Sequence, residues 1–80
     1  MSTTALTAER LRADVADLLG LEPAEVAPDA DLLDLGLDSM RMMSLVERWR
    51  AAGATDLEFA DLAEEPRLGR WTELVTGASA

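Results

Sequence analysis

The sequence predicts an all-α fold: a small four-helix bundle, three main helices plus a short third helix, with a long ordered loop between helices 1 and 2. Three observations carry that expectation. Apolar residues recur at helical spacing in separate segments. No alternation of apolar and polar residues is long enough for a useful strand. Glycine or proline stands where most of these segments end. Eighty residues at 49% hydrophobic content make one folded domain, 1–80, with an ordered core over about 6–76 and flexible ends.

The first helix runs from Thr7, a good cap, to Leu19, with Leu11, Val15, Leu18 and Leu19 as its apolar face and Gly20 as its stop. Residues 21–38 read differently. Pro23, Pro28, Asp29, Asp31, Asp34 and Gly36 break regular structure, yet Leu21, Val26, Leu32, Leu33, Leu35 and Leu37 are spread among them. A connection this long in a small domain is functional or packs on itself. It reads as a loop pinned by its leucines, with a short helical turn near Asp31 to Leu35. The second helix spans Ser39 to Ala52, with Met42, Leu45, Val46 and Trp49 on one stripe and Gly53 at its end. A short third helix runs from Leu57 to Glu64 and is closed by Pro66. The last carries Leu68, Trp71, Leu74 and Val75 on its apolar face. Its start is poorly specified, with Arg67 at the cap and Gly69 in the first turn. Trp49 and Trp71 read as core rather than as a ligand box, and 77–80 as a frayed tail.

Composition excludes several function classes. Sixteen acids against seven arginines give a net charge of −9, which disfavours nucleic acid and anionic membrane and suits partners with basic docking surfaces. Cys, His, Tyr, Lys, Asn, Gln and Ile are absent. There is therefore no disulfide framework, no thiolate zinc site, and neither the usual general base nor the two commonest nucleophile pairings. The missing Lys, Asn, Ile and Tyr have AT-rich codons, which points to a GC-rich bacterial genome. No signal peptide is visible, and no apolar stretch approaches the roughly 20 residues of a membrane helix. A cytoplasmic monomer is expected.

The most informative stretch is Leu35-Gly36-Leu37-Asp38-Ser39-Met40-Arg41-Met42-Met43. It sets a serine after a glycine-bearing turn, at the head of an amphipathic helix, where free backbone N–H groups and the helix dipole favour a phosphate. The plain alternative is that Ser39 is only a helix N-cap. On a helical projection of about 100° per residue, Met40, Met43 and Glu47 fall near Ser39 and away from the core stripe. Two methionines there are either tucked under the loop or third helix, or form a soft docking patch beside the serine. Hydrolase chemistry at Ser39 is disfavoured: the pattern Gly-x-Ser-x-Gly is absent and no histidine exists to take the proton. The acidic run Asp29, Asp31, Asp34, Asp38 fails the EF-hand spacing, since its sixth position is Asp34 and its twelfth Met40. No metal site and no catalytic residue are expected.

The string Leu35-Gly36-Leu37-Asp38-Ser39-Met40 resembles the phosphopantetheine attachment motif of acyl and peptidyl carrier proteins. The likeness covers nearly the whole chain. Gly-Leu-Asp-Ser-Met-Arg-Met-Met followed by Arg48-Trp49-Arg50 is similar to the aryl carrier domains of siderophore-type nonribosomal assembly lines, including those fused to isochorismatases. The resemblance implies a 4'-phosphopantetheine, taken from coenzyme A by a phosphopantetheinyl transferase and attached to Ser39, with Asp38 as the flanking motif residue. The cofactor thiol would carry an aromatic acid as a thioester, loaded by a stand-alone aryl-adenylating enzyme and unloaded by a condensation or other acyl-transfer enzyme. Partner contacts carry over to Met40 and Met43 and, less directly, to Phe59 and Ala63. Core packing is the alternative for Phe59. Peptidyl carriers usually have glycine where Leu37 stands, and the fatty-acid type has a strongly acidic second helix, whereas Arg41, Arg48 and Arg50 stand here against Glu47. A free-standing carrier, not an enzyme, is expected from the native-looking start. The alternatives are a type II polyketide, peptidyl or D-alanyl-type carrier, or an unmodified acidic interaction module.

Overall fold

The computed structural model describes residues 6–77; the outermost residues of the ends expected to be flexible lie outside the described residues. Among the described residues there are four α-helices and no strand: α1 (Ala8–Leu19), α2 (Ser39–Ala51), α3 (Phe59–Glu64) and α4 (Leu68–Thr76). α1 packs on α2 and α4, and α3 packs on α2 and α4. The bundle expected from helical periodicity is present. α3 is shorter than expected, because Leu57 is buried ahead of the helix and Glu58 stands at its cap.

α1 starts as its sequence dictates. The Thr7 hydroxyl accepts the Arg10 N–H at 3.0 Å, and Gly20 closes the helix with a bond to the Asp17 carbonyl. Leu11, Val15 and Ala16 are its buried residues, while Leu18 and Leu19 are only partly covered. α2 buries the four residues expected of it, Met42, Leu45, Val46 and Trp49. Trp49 and Trp71 are fully buried and meet edge-to-face, with centroids 6.0 Å apart and planes at 70°. That geometry matches the ring quadrupoles and adds about 0.5–1.5 kcal/mol to the burial itself.

Both indoles have their N–H groups satisfied, as buried polar groups require. Trp71 Nε1 donates to the Leu62 carbonyl at 3.0 Å. Trp49 Nε1 donates to Asp14 Oδ2 at 2.8 Å, and the same carboxylate takes Arg10 Nε at 3.1 Å and Arg48 Nη1 at 3.3 Å. Asp14, on α1, thus ties α1 to the far end of α2.

The long loop is ordered by its apolar residues. Val26, Leu32 and Leu37 are buried, and Leu21 and Leu35 pack on the core from its edge. Leu33 departs from this expectation: it is 49% exposed. Its N–H is held by Asp31 Oδ1 at 2.9 Å, an Asx turn that directs the chain while Leu32 takes the inward position. The turn expected near Asp31 to Leu35 exists as successive i→i+3 bonds, from Asp34, Leu35 and Gly36 to Asp31, Leu32 and Leu33. A second, unexpected turn of 3₁₀-helix covers Pro23–Glu25; Pro23 opens it rather than breaking structure, since its fixed φ suits a first helical position.

The weak start of α4 has a tertiary remedy. Arg67 offers no side-chain cap, but the Gly69 N–H donates to the Pro28 carbonyl at 2.8 Å, and a Cβ on residue 69 would sit 3.2 Å from that oxygen. Gly69 is therefore where the loop approaches α4 closely, a demand that helix propensity does not reveal. The Leu32 N–H likewise donates to the Pro66 carbonyl at 2.9 Å. On the outer face of α4, Leu74 is 38% exposed and does not share the core face expected of it, which Leu68 and Trp71 supply.

Candidate functional site

The loop delivers one short segment to the start of α2. Gly36 turns the chain with φ 110°, a conformation in which any other residue would be strained. Leu37 then anchors it: the side chain is buried and its N–H donates to the Leu32 carbonyl at 3.0 Å. Asp38 follows in extended conformation and caps α2, Oδ1 accepting the Arg41 N–H at 2.9 Å. This corrects the plain reading of Ser39 as the cap. Ser39 is the first helical residue, and the capping work belongs to its neighbour.

The consequence is chemical. A capping serine has its oxygen occupied by a backbone N–H, whereas the Ser39 hydroxyl is exposed and makes no hydrogen bond within the described residues. The Ser39 and Met40 amides also have no partner there, as the first N–H groups of a helix ordinarily lack one. An exposed hydroxyl beside two free amides at the positive end of a helix fits a phosphodiester: oxygen for the ester, N–H groups and dipole for the anionic oxygens. No base is poised on the hydroxyl. Both Asp38 oxygens are turned to Arg41, whose Nη1 donates to Oδ2 at 2.8 Å.

The methionines are placed as the projection requires. Met40 is 81% exposed and Met43 42% exposed, so neither is tucked under the loop or under α3. Met40 shares an open depression of about 340 Å³ with Asp38, Arg41 and Ser44. Phe59 and Ala63 lie on α3, which packs against α2, and both are partly buried against the core. Phe59 is partly buried: part of the ring packs inward and part remains accessible. Sequence reasoning gave Arg41 no role at this site. The available signal was its position three residues after the cap, where an acid is the usual choice.

This is a helical bundle whose loop presents one unengaged serine hydroxyl at a helix start. The family model for the phosphopantetheine attachment site matches residues 9–75, and the chain belongs to that family, whose members carry 4'-phosphopantetheine. It is 51% identical over 80 aligned residues to pyochelin synthetase PchE of Pseudomonas aeruginosa, with 96% of this chain and 5% of that protein covered. It is 48% identical over 75 residues to phenyloxazoline synthase MbtB of Mycobacterium sp. strain MCS, covering 94% of this chain and 6% of that protein. To the isochorismatase of Bacillus subtilis strain 168 it is 45% identical over 73 residues, covering 91% and 23%. The chain therefore spans less than a quarter of the length of each of these relatives. No solved structure matches it. Among the described residues, no helix is long and apolar enough to cross a membrane.

Proposed function

We propose that Ser39 is the attachment point of phosphopantetheine and that residues 1–80 form a single aryl carrier unit of a siderophore-type nonribosomal system. The observation that carries the attachment point is the unengaged Ser39 hydroxyl beside two free amides, in a chain of the phosphopantetheine attachment family. When bound, the group supplies a terminal thiol on a flexible arm, on which an acyl group is held as a thioester. The protein's own part is presentation. Gly36 and Leu37 set the position of the helix start, Asp38 closes it without using the serine, and the Ser39 and Met40 amides would be the donors available to the phosphodiester oxygens. The chain supplies no base to that hydroxyl, in keeping with a carrier that leaves chemistry to its partners.

The aromatic cargo is supported by the relatives' names, which include a phenyloxazoline synthase and an isochorismatase, and by the arginines of α2. The partners on this reading are a phosphopantetheinyl transferase, an aryl-adenylating enzyme and a condensation enzyme. Met40 and Met43 form the exposed docking surface, with Phe59 and Ala63 beside it on α3. Flexible thioethers suit a surface that meets several partners in turn. Incubation of the pantetheinylated chain with ATP and a salicylate- or dihydroxybenzoate-activating enzyme is expected to add one aryl group. Loading by malonyl or amino-acyl donors alone would refute the aryl assignment.

A further inference from the structure

The start of α2 carries an arginine where helix starts favour acids. The third helical position faces the positive end of the dipole, and in a reciprocal capping box it holds a residue that accepts the cap's own N–H. α3 follows that rule: Asp61 Oδ2 accepts the Glu58 N–H at 2.9 Å. The first turn of α2 contains no acid, and Arg41 occupies the position. A cation there works against the helix unless its contacts compensate, and Arg41 makes three. Its backbone N–H donates to Asp38 Oδ1 at 2.9 Å, Nη1 donates to Asp38 Oδ2 at 2.8 Å, and Nε donates to the Leu18 carbonyl at 3.3 Å. Leu18 lies in the last turn of α1, where carbonyls lack helical partners. One side chain thus joins the cap of α2 to the end of α1.

We propose that Arg41 is a positioning residue for phosphopantetheine transfer: it fixes the Asp38 carboxylate where it closes α2 and stays off the Ser39 hydroxyl, and it anchors that helix start to α1. The inference rests on Ser39 being the attachment point. The transfer forms a bond from Ser39 Oγ to a phosphorus of coenzyme A and breaks the anhydride bond at that phosphorus. Adenosine 3',5'-bisphosphate leaves, and the hydroxyl proton passes to a base of the transferase. The incoming diphosphate is anionic. A free carboxylate next to Ser39 would repel it and would accept a hydrogen bond from the attacking hydroxyl. With Arg41 in place, both carboxylate oxygens are occupied and the charge is balanced. Arg41 also lines the depression that Asp38, Met40 and Ser44 share at this surface.

The test uses the full chain, coenzyme A and a broad-specificity transferase, with initial rates read by intact mass. Arg41→Met is expected to lower kcat/KM about three- to fivefold, the scale of one exposed ion pair. Arg41→Lys, which keeps the charge and one donor, recovers part of the loss. Placed in an Asp38→Asn chain, Arg41→Met costs less than in the unaltered chain, because the carboxylate it positions is gone and only the contact with the Leu18 carbonyl is left to lose. In the unmodified chain, Asp38→Asn shifts the Arg41 Nη–H resonance, since Nη1 is the group that donates to that carboxylate. Arg41→Gln repeats the test should methionine unsettle the fold, which circular dichroism checks. A wild-type rate in both uncharged variants, losses that multiply in the double variant, or an Arg41 resonance indifferent to Asp38 overturns the inference. Failure of the unaltered chain to accept the group overturns the attachment reading as well, and is distinguished by that control.

Discussion

The two ends of α2 are built on opposite principles. At the far end, each strong group is spent on the fold: Trp49 is fully buried, its N–H is held by Asp14, and Arg48 closes on the same carboxylate. At the near end, Asp38 and Arg41 satisfy each other, and the Ser39 hydroxyl, two amides and the Met40 side chain are left facing outward. The span between the ends is roughly 20 Å at 1.5 Å per residue. A rigid handle at one end and unengaged chemistry at the other suit a domain that is gripped and modified by other proteins. Damage to the two ends should separate: the far end sets stability, the near end sets modification.

The largest effect is expected at the far end. Trp49→Ala removes the ring that meets Trp71, and a loss of about 3–5 kcal/mol is expected in urea unfolding. Against a total of about 5–15 kcal/mol, the bundle would be left barely folded. Asp14→Ala is next. It leaves a buried indole N–H without its acceptor, for about 1–3 kcal/mol, while the initial rate of modification at a temperature where the chain is folded stays unchanged. A slowed rate there would break the separation between the ends.

Two smaller substitutions sharpen it. Asp38→Ala and Asp61→Ala each remove a carboxylate from a helix start, at a cost of about 1 kcal/mol. Only the first is expected to slow phosphopantetheine transfer, because only α2 presents the serine. Met43→Ala should change stability least, by within about 0.5 kcal/mol as for other surface changes, yet slow aryl loading or condensation. Equal rates would remove Met43 from the docking surface.

Much of this was legible in the sequence for specific reasons. The stripe of Met42, Leu45, Val46 and Trp49 has a helical period and all four residues are buried; Thr7 and Gly20 act as the local signals they resemble. Ser39 was singled out by its turn and its helix. What escaped was nonlocal. Gly69 reads as a weak helix residue until the Pro28 carbonyl lies against it. Leu33 counts as one more pinning leucine until an Asx turn gives the inward place to Leu32. The division of labour between Asp38 and Ser39 was also hidden, because both are good caps and only backbone geometry decides which is used. The contact of Arg41 with the Leu18 carbonyl forms only when the end of α1 is brought beside it.

The central claim is that the exposed Ser39 hydroxyl accepts the prosthetic group. Intact mass spectrometry of the chain and of Ser39→Ala, each incubated with coenzyme A and a broad-specificity transferase, tests it most directly. The account predicts a gain of one phosphopantetheine by the unaltered chain and none by the variant. An unmodified wild-type chain, or a variant that gains the same mass, would contradict it.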